Sequence, residues 1–541
     1  MTISRFRYLI LSCAIVITSL LVQISPFLFS RDIFFPTGYG YVYLPSYFLA
    51  STGHLYNGQW NAFLSSNEIS MGWAPVSQNS DLLEAIMLGT LRIIMGSSLV
   101  QSFYLSHLPV GTIVFPFLIL GFYKQRAGSK FSRSTALIIL AFSCFGSLFF
   151  VQTIFFRMYG MSYFFYLIVL SFIGIRWSSQ NRADLVIFAI VVTALAASYH
   201  TLSSYVLVLL TIMLFLQILL RLAISKKILD INIRRTFLGI GITLFFGTYM
   251  FIVIIYPFAQ VFGFNLLDVF SRAVSIPGIQ GISTMNSLFS KLDIISEVSA
   301  GIIFFSGLLV GVKAVIHDVN DRDTRYLFFI CGSLFLFAIL EVIGLGLITA
   351  LARVFQAVYP AVPLIFSILL LKTSRMSRRL LLAVALVCII VVPSSSIAFN
   401  QLEFGLSTNT VSSTTFAQIN YVGSMSSQTT AIFTDFASAG SLLYYGHVNV
   451  FGLSDFDFTP LNFTSYANAI YNNGGKDVIS KAVHEISGSN SVLFLYRIEE
   501  EKGIPVESTV YVPQNKSFIG EYGTYFDLVY STGQSIIFIV S

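Results

Sequence analysis

Apolar residues along this chain fall into runs near 20 residues long, each broken by polar or basic punctuation. A hydrocarbon layer about 30 Å thick needs about 20 residues of helix to cross it. Eleven segments fit that length, at about 8–27, 103–122, 135–151, 160–175, 184–200, 203–220, 236–258, 298–315, 326–349, 355–371 and 380–398. A further apolar segment, "DLLEAIMLGTLRIIMG" (81–96), carries Asp81, Glu84 and Arg92. A charge at the centre of a span costs about 2.5–3.5 kcal/mol, so an amphipathic helix lying on the outer face is expected there instead. The first run follows Arg5 and Arg7, as in a signal peptide, but it is long and lacks a clean small-x-small exit, so a retained span is expected.

The pattern changes after residue 398. The tail, 399–541, mixes polar and apolar residues and is long enough for one domain. "TAIFTD", "SVLFLY" and "FDLVYSTGQSIIFIVS" read as strands, the last as a hairpin around Ser-Thr-Gly-Gln, and "FASAGSLLYYG" reads as a helix. The expected architecture is thus an α-helical multi-pass membrane domain of about eleven spans (1–398) and a small α/β or α+β domain (399–541). Between spans lie two large loops, 28–102 and 259–297.

Charge sets the expected orientation. With the N-terminus inside, the cytoplasmic segments and span ends hold 20 Lys and Arg, and the outer segments before residue 399 hold six. Basic residues accumulate on the cytoplasmic side because moving them across is disfavoured. A plasma-membrane protein is expected, with both large loops and the tail outside. Two sequons, at Asn462 and Asn515, fall in that outer tail.

Composition agrees and excludes other classes. The chain is 55% hydrophobic and only 10% charged, with a mean hydropathy of +0.80, against about 25% charged in soluble domains. The net charge of +6 reflects loop anchors and gives no reason to expect a nucleic-acid partner. All four cysteines (Cys13, Cys144, Cys331 and Cys388) fall within expected spans, so neither a disulfide framework nor a thiolate metal site is indicated. Walker, GxSxG, HExxH and Rossmann motifs are absent from the sequence.

Several residues carry candidate chemistry. Arg353 ends a Gly-rich outer turn, where it either grips a phosphate bidentately or snorkels to the interface. Arg157 lies on a tight outer turn, where it either assists the site or serves as an interface anchor, and His200 lies at another, where a neutral imidazole either hydrogen-bonds a sugar or phosphate or is structural. Glu341 lies within a span, which makes it a functional candidate by default. "HDVNDRD" (317–323) lacks the Gly and closing Glu of a calcium loop and reads as a solvated cytoplasmic turn. In the first loop, "LPSYFLAST" is expected to form a short helix between Pro45 and Gly53, with Tyr39, Tyr41, Tyr43 and Tyr47 at headgroup depth.

Three patches and the order of parts resemble one family. "YGYVYLPSYFLASTGHL" (39–55) is similar to the first-loop helix of the GT-C class of membrane glycosyltransferases. "LLEAIMLGTLRIIMGSS" (82–98) is similar to their juxtamembrane helix, and "LARVFQAVYPAVPLIFSILL" (351–370) to a late span with an Arg ahead of Pro-containing apolar sequence. The nearest branch is the archaeal and bacterial relatives of the dolichyl-phosphate-mannose protein mannosyltransferases and oligosaccharyltransferases. The resemblance implies transfer of a sugar or oligosaccharide from a polyprenyl-phosphate carrier to an extracytoplasmic acceptor. It implies a catalytic carboxylate in the first outer loop and substrate-binding roles for Arg353, His200, Arg157, Tyr39 and His54. It leaves room for a divalent cation, for which the sequence shows no clear ligand cluster. The family's acid is expected near Gly38 to Gly40, where none stands; the nearest is Asp32. Asp32 is therefore either a base displaced along the loop or a solvated acid beside Arg31. The competing expectation is a non-catalytic scaffold of the same fold, or a transporter of lipid-linked solutes. A transporter often shows paired broken helices in two halves, and no such symmetry is visible.

Overall fold

In a computed structural model, the described residues are chiefly 4–24, 32–33, 82–96, 109–146, 160–176, 182–198, 200–223, 233–250, 283–284, 288–317, 321–345, 357–403 and, in the tail, 410–411, 413–425, 431–435, 449–453, 491–496, 504–507, 510–512, 526–531 and 535–540. The helices are α1 (Arg5–Ile24), α2 (Leu82–Met95), α3 (Phe115–Ala127), α4 (Arg133–Phe145), α5 (Gly160–Arg176), α6 (Arg182–Ser198), α7 (His200–Ala223) and α8 (Ile233–Met250), then α9 (Leu288–His317), α10 (Arg322–Leu345), α11 (Val362–Lys372), α12 (Arg375–Glu403) and α13 (Ser413–Met425). Described helix overlaps part of each of the eleven apolar segments. Among the described residues, Arg5–Val22, Asp323–Glu341 and Met376–Ser394 are long and apolar enough to cross a membrane by length and composition. The segment at 81–96 is helical, and it closes on Gly96, whose φ of +62° and N–H bond to the Arg92 carbonyl end α2 in the left-handed conformation that glycine adopts most easily. The short helix expected at 45–53 and the helix expected at 436–446 lie outside the described residues.

The core forms around α11. This helix is apolar all round, and every residue from Val362 to Leu370 is buried, as expected for a helix with no solvent- or lipid-facing stripe. It packs against α3, α4, α9, α10 and α12. Association of helices within a membrane depends on close van der Waals fit rather than on exclusion of water. The α9 sequence "GLLVG" supplies this fit. A β-carbon at Gly307 would lie 2.6 Å from Ile365 Cγ2, and one at Gly311 2.6 Å from the Phe328 backbone nitrogen. Spaced four apart, these two glycines let α9 settle onto α10 and α11. Pro116 leaves its own mark at the entry to α3. It has no N–H to donate, and the turn ahead of it, Val110–Val114, widens to a π-helix in which the Phe115 N–H bonds to the Val110 carbonyl.

An ion network closes one end of the bundle and corrects the reading of "HDVNDRD" as a solvated turn. Asp323 pairs with Arg126 at 3.0 Å and with Lys372 at 3.4 Å, and Asp321 pairs with Lys372 at 2.7 Å. Arg126 is 5% exposed at its side chain. It donates to the Gly174 carbonyl and stacks 5.7 Å from the rings of Phe122 and Tyr326. Thr324 donates to Asp321 at 2.8 Å. The carboxylates are thus consumed by basic residues at the ends of α3 and α11, which are far away in sequence.

The strands form three sheets: β1 (Asp32–Ile33) with β3 (Thr410–Val411); β2 (Ser283–Thr284) with β8 (Val510–Val512) and β7 (Ile504–Glu507); and five strands in the order β5 (Asn449–Leu453), β4 (Ala431–Asp435), β6 (Ser491–Tyr496), β10 (Ser535–Val540), β9 (Asp527–Ser531). The pairings of β4 with β5 and β6 are parallel, and those of β10 with β6 and β9 antiparallel. The strands read in "TAIFTD", "SVLFLY" and the final hairpin coincide with β4, β6 and the β9–β10 pair.

Two outcomes are expected. Gly311→Ala should overpack the α9–α10 contact and cost about 1–3 kcal/mol, whereas Gly301→Ala, with nothing within 4 Å of the added carbon, should leave stability unchanged or slightly raised; thermal unfolding of both purified variants measures this. For Asp321, burial alone would raise the carboxyl's pKa, but the Lys372 and Thr324 hydrogen bonds outweigh it and hold the value below the ordinary one. A carboxylate with a lowered folded-state pKa stabilises the fold above its unfolded pKa of about 3.9 and loses that stabilisation as pH falls through the folded value. The stability difference between wild type and Asp321→Asn should therefore stay constant from pH 7 to about pH 5 and shrink below about pH 4.

Candidate active site

The candidate site is expected at the end of the bundle opposite the ion network. There α5 begins, the π-turn leads into α3, and the 3-10 turn Tyr359–Ala361 leads into α11. Thr112, Ser162, Tyr163, Tyr166 and Tyr359 are all buried on these segments, polar side chains set in an otherwise apolar core. The Tyr166 hydroxyl donates to the Ala357 carbonyl at 3.1 Å. Ala357 stands four residues after Arg353, and Val354 packs against the core. The chain on the C-terminal side of Arg353 is thereby pinned to the N-terminal half of α5. Sequence reasoning missed Tyr166 because a tyrosine in an apolar span resembles any other core aromatic; a hydroxyl that must find a partner when buried was the available signal.

Asp32 lies on β1, with Asp32 opposite Val411 and Ile33 opposite Thr410. This pairing joins the chain just beyond α1 to the start of the tail. His200 is the first residue of α7. Arg353, Arg157, Tyr39 and His54 lie outside the described residues. Glu341 is half-buried on α10, in its last two turns. Among the described residues, no group of three or more His, Cys, Asp or Glu converges to hold a metal ion.

The β1–β3 and β2–β8 pairings connect the loop after α1, the loop before α9 and the tail. With this arrangement in place, comparison with solved structures decides the fold. The apo oligosaccharyltransferase of Archaeoglobus fulgidus superposes with a TM-score of 0.58 at 11% identity, covering 91% of this chain and 70% of that one. The oligosaccharyltransferase AglB of the same organism, solved with an inhibitory peptide and a dolichol-phosphate, gives 0.54 at 10% identity over 91% and 70%. The arabinofuranosyltransferase AftD from Mycobacteria gives 0.51 at 10% identity, covering 100% of this chain and 42% of that one. The chain has the GT-C fold. At 10–11% identity this likeness concerns the fold alone. No family model and no curated protein matches the sequence.

The Tyr166 bond gives a direct test of how the Arg353 segment is held. Tyr166→Phe removes the donor to Ala357 and should cost about 0.5–1.5 kcal/mol, read as a lowered unfolding midpoint.

Proposed function

We propose that this protein is a membrane glycosyltransferase that moves a sugar or oligosaccharide from a polyprenyl-phosphate carrier to an acceptor outside the cell. The observation that carries the reading is the shared fold with oligosaccharyltransferases, one of which was solved with a dolichol-phosphate and a peptide. The expected topology fits it: eleven spans, a cytoplasmic N-terminus, a membrane domain over 1–398 and an outer domain over 399–541. Backbone pairing supports placing 28–102, 259–297 and the tail on one side, since β1 and β2 each bond to tail strands. The ion network of Arg126, Lys372, Asp321 and Asp323 belongs to the other end.

In this reading the acceptor's nucleophilic atom attacks the anomeric carbon of the carrier-bound sugar. The bond from that carbon to the phosphate oxygen breaks, and the polyprenyl phosphate leaves with the electron pair. Asp32 takes the acceptor's proton or orients the acceptor. Arg353 clamps the phosphate as negative charge develops on it, with its planar fork matched to two oxygens. His200, Arg157, Tyr39 and His54 contact sugar or phosphate. The 259–297 loop walls the cavity, and the tail binds the acceptor.

The rival is a GT-C scaffold without the reaction, favoured by the absence of an acid at Gly38 to Gly40. One pair of variants separates the two. Asp32→Asn should fold and insert normally yet lower glycan transfer about 10²–10⁴-fold. Arg353→Lys should weaken binding of a polyprenyl phosphate, because an ammonium cannot reproduce the bidentate contact. Undiminished transfer by Asp32→Asn removes the base, unchanged affinity in Arg353→Lys removes the clamp, and a wild type that transfers nothing leaves the scaffold.

A further inference from the structure

One acid is set into the buried face of a helix. Along α10, Leu327, Ile330, Leu334 and Phe337 recur every three or four residues, which puts them on one face, and all are buried, Phe337 at 3% exposure. The next position on that face is Glu341. It is half-buried, and its Oε2 atom is sealed from solvent. The helix offers outward positions at nearly the same height, where Ile339 and Leu340 are exposed. An ionisable side chain on the inward face of a membrane-spanning helix is costly, and the positions where one is kept mark sites of function.

Register places Glu341 at the end of the bundle away from the ion network. The pairing of Lys372, at the end of α11, with Asp323, at the start of α10, makes these two helices antiparallel. A β-carbon at Gly307 would lie 3.0 Å from Cys331 Sγ of α10 and 2.6 Å from Ile365 Cγ2 of α11, so Cys331 and Ile365 stand at one level. From that level Glu341 is ten residues onward along α10, and Val354 is eleven residues back along the chain that leads into α11. Both are therefore about 15–18 Å further from the network. The start of α7 reaches the same height: Phe337 packs on Tyr205 at 5.1 Å, Gly332 faces Leu216, and α7 begins five residues before Tyr205. Close packing ends at this level on two neighbouring chains. Phe337 is buried and Glu341 half-buried; Ala357 is buried and Val354 half-buried. The Glu341 carboxylate thus has one side in the core and one side open to whatever enters from that end.

We propose that Glu341 is the catalytic base of this site. Its carboxylate takes the proton from the acceptor's nucleophilic atom as that atom bonds to the anomeric carbon; the bond from that carbon to the phosphate oxygen breaks, and the polyprenyl phosphate leaves with the electron pair. The assignment rests on the glycosyltransferase reading and leaves Asp32 the task of orienting the acceptor. Arg353, which holds the phosphate in that reading, is the residue before Val354, so the proton acceptor and the phosphate clamp belong to neighbouring chains at one level. A base carried on a helix is also aimed more precisely than one carried on a loop.

The test uses the full chain in nanodiscs, with lipid-linked saccharides extracted from the cells that make the protein as donor and with dolichyl phosphate as the binding probe. Glu341→Gln should bind dolichyl phosphate as the wild type does and keep its unfolding midpoint, yet lower kcat about 10²–10⁴-fold. In Glu341→Ala, added formate should restore part of the lost turnover, because a free carboxylate can take the proton in place of the missing one; a group that only supports the fold gives no such rescue. Glu341→Asp keeps the charge and draws it back by one methylene, so it should turn over at an intermediate rate, which covers the event that the other two do not fold. Full turnover in Glu341→Gln overturns the assignment alone. So does a Glu341→Ala that folds and does not respond to formate, or a loss in Glu341→Gln that is matched by lost dolichyl phosphate binding. A wild type that turns over none of the extract overturns the transferase reading and the assignment together.

Discussion

Five of the described helices pack around one that is buried along its length and ends in a charge. From Val362 to Leu370, α11 is buried on every side, and Lys372 then emerges at its C-terminus. A cation there complements the helix dipole, and Asp323 at the start of α10 complements the dipole of that helix. The pairing of Lys372 with Asp321 and Asp323 joins those two termini, and Arg126 brings α3 and the end of α5 to the same point. Removing Asp323 would strand the buried Arg126 guanidinium, at a cost of about 3–5 kcal/mol. The central helix and its neighbours are thereby held in register at one end, which leaves variation for the other.

Much of the helical framework was legible because its signal is local. A run of twenty apolar residues and a Gly after "LRIIM" each carry their meaning in one window. The strand in "SVLFLY" is legible for the same reason. The acids of "HDVNDRD" were misread because their environment is not local: Lys372 is 51 residues from Asp321, and Arg126 is nearly 200 from Asp323. The orientation derived from charge placed Arg126, Lys372 and these acids at one end of the bundle, so opposite charges confined to one plane were already a reason to expect pairing. The glycines of "GLLVG" were silent for a different reason: what a glycine permits depends on which helix approaches it.

The candidate site was less legible than the frame. Two residues, Asp32 and Ile33, have no periodicity from which a strand is read, and their partners Val411 and Thr410 are more than 370 residues away. Tyr166 was hidden among other aromatics. In both cases the informative contact is a backbone group meeting a distant partner, and a sequence pattern carries no record of that.

The length of α9 sets a height. Its 30 residues extend about 45 Å, whereas the hydrocarbon layer is about 30 Å deep. The surplus is at the start, where Lys291, Asp293 and Glu297 precede the apolar stretch that begins near 298. Those ten residues amount to about 15 Å of rod beyond the apolar stretch, and only three residues separate the rod's tip at Leu288 from Thr284 of β2. A helix resists bending where a loop would coil, so the sheet that β2 joins is propped at a fixed elevation, like a shelf on a post. Shortening or lengthening α9 by whole turns would lower or raise that sheet by about 5.4 Å at a time.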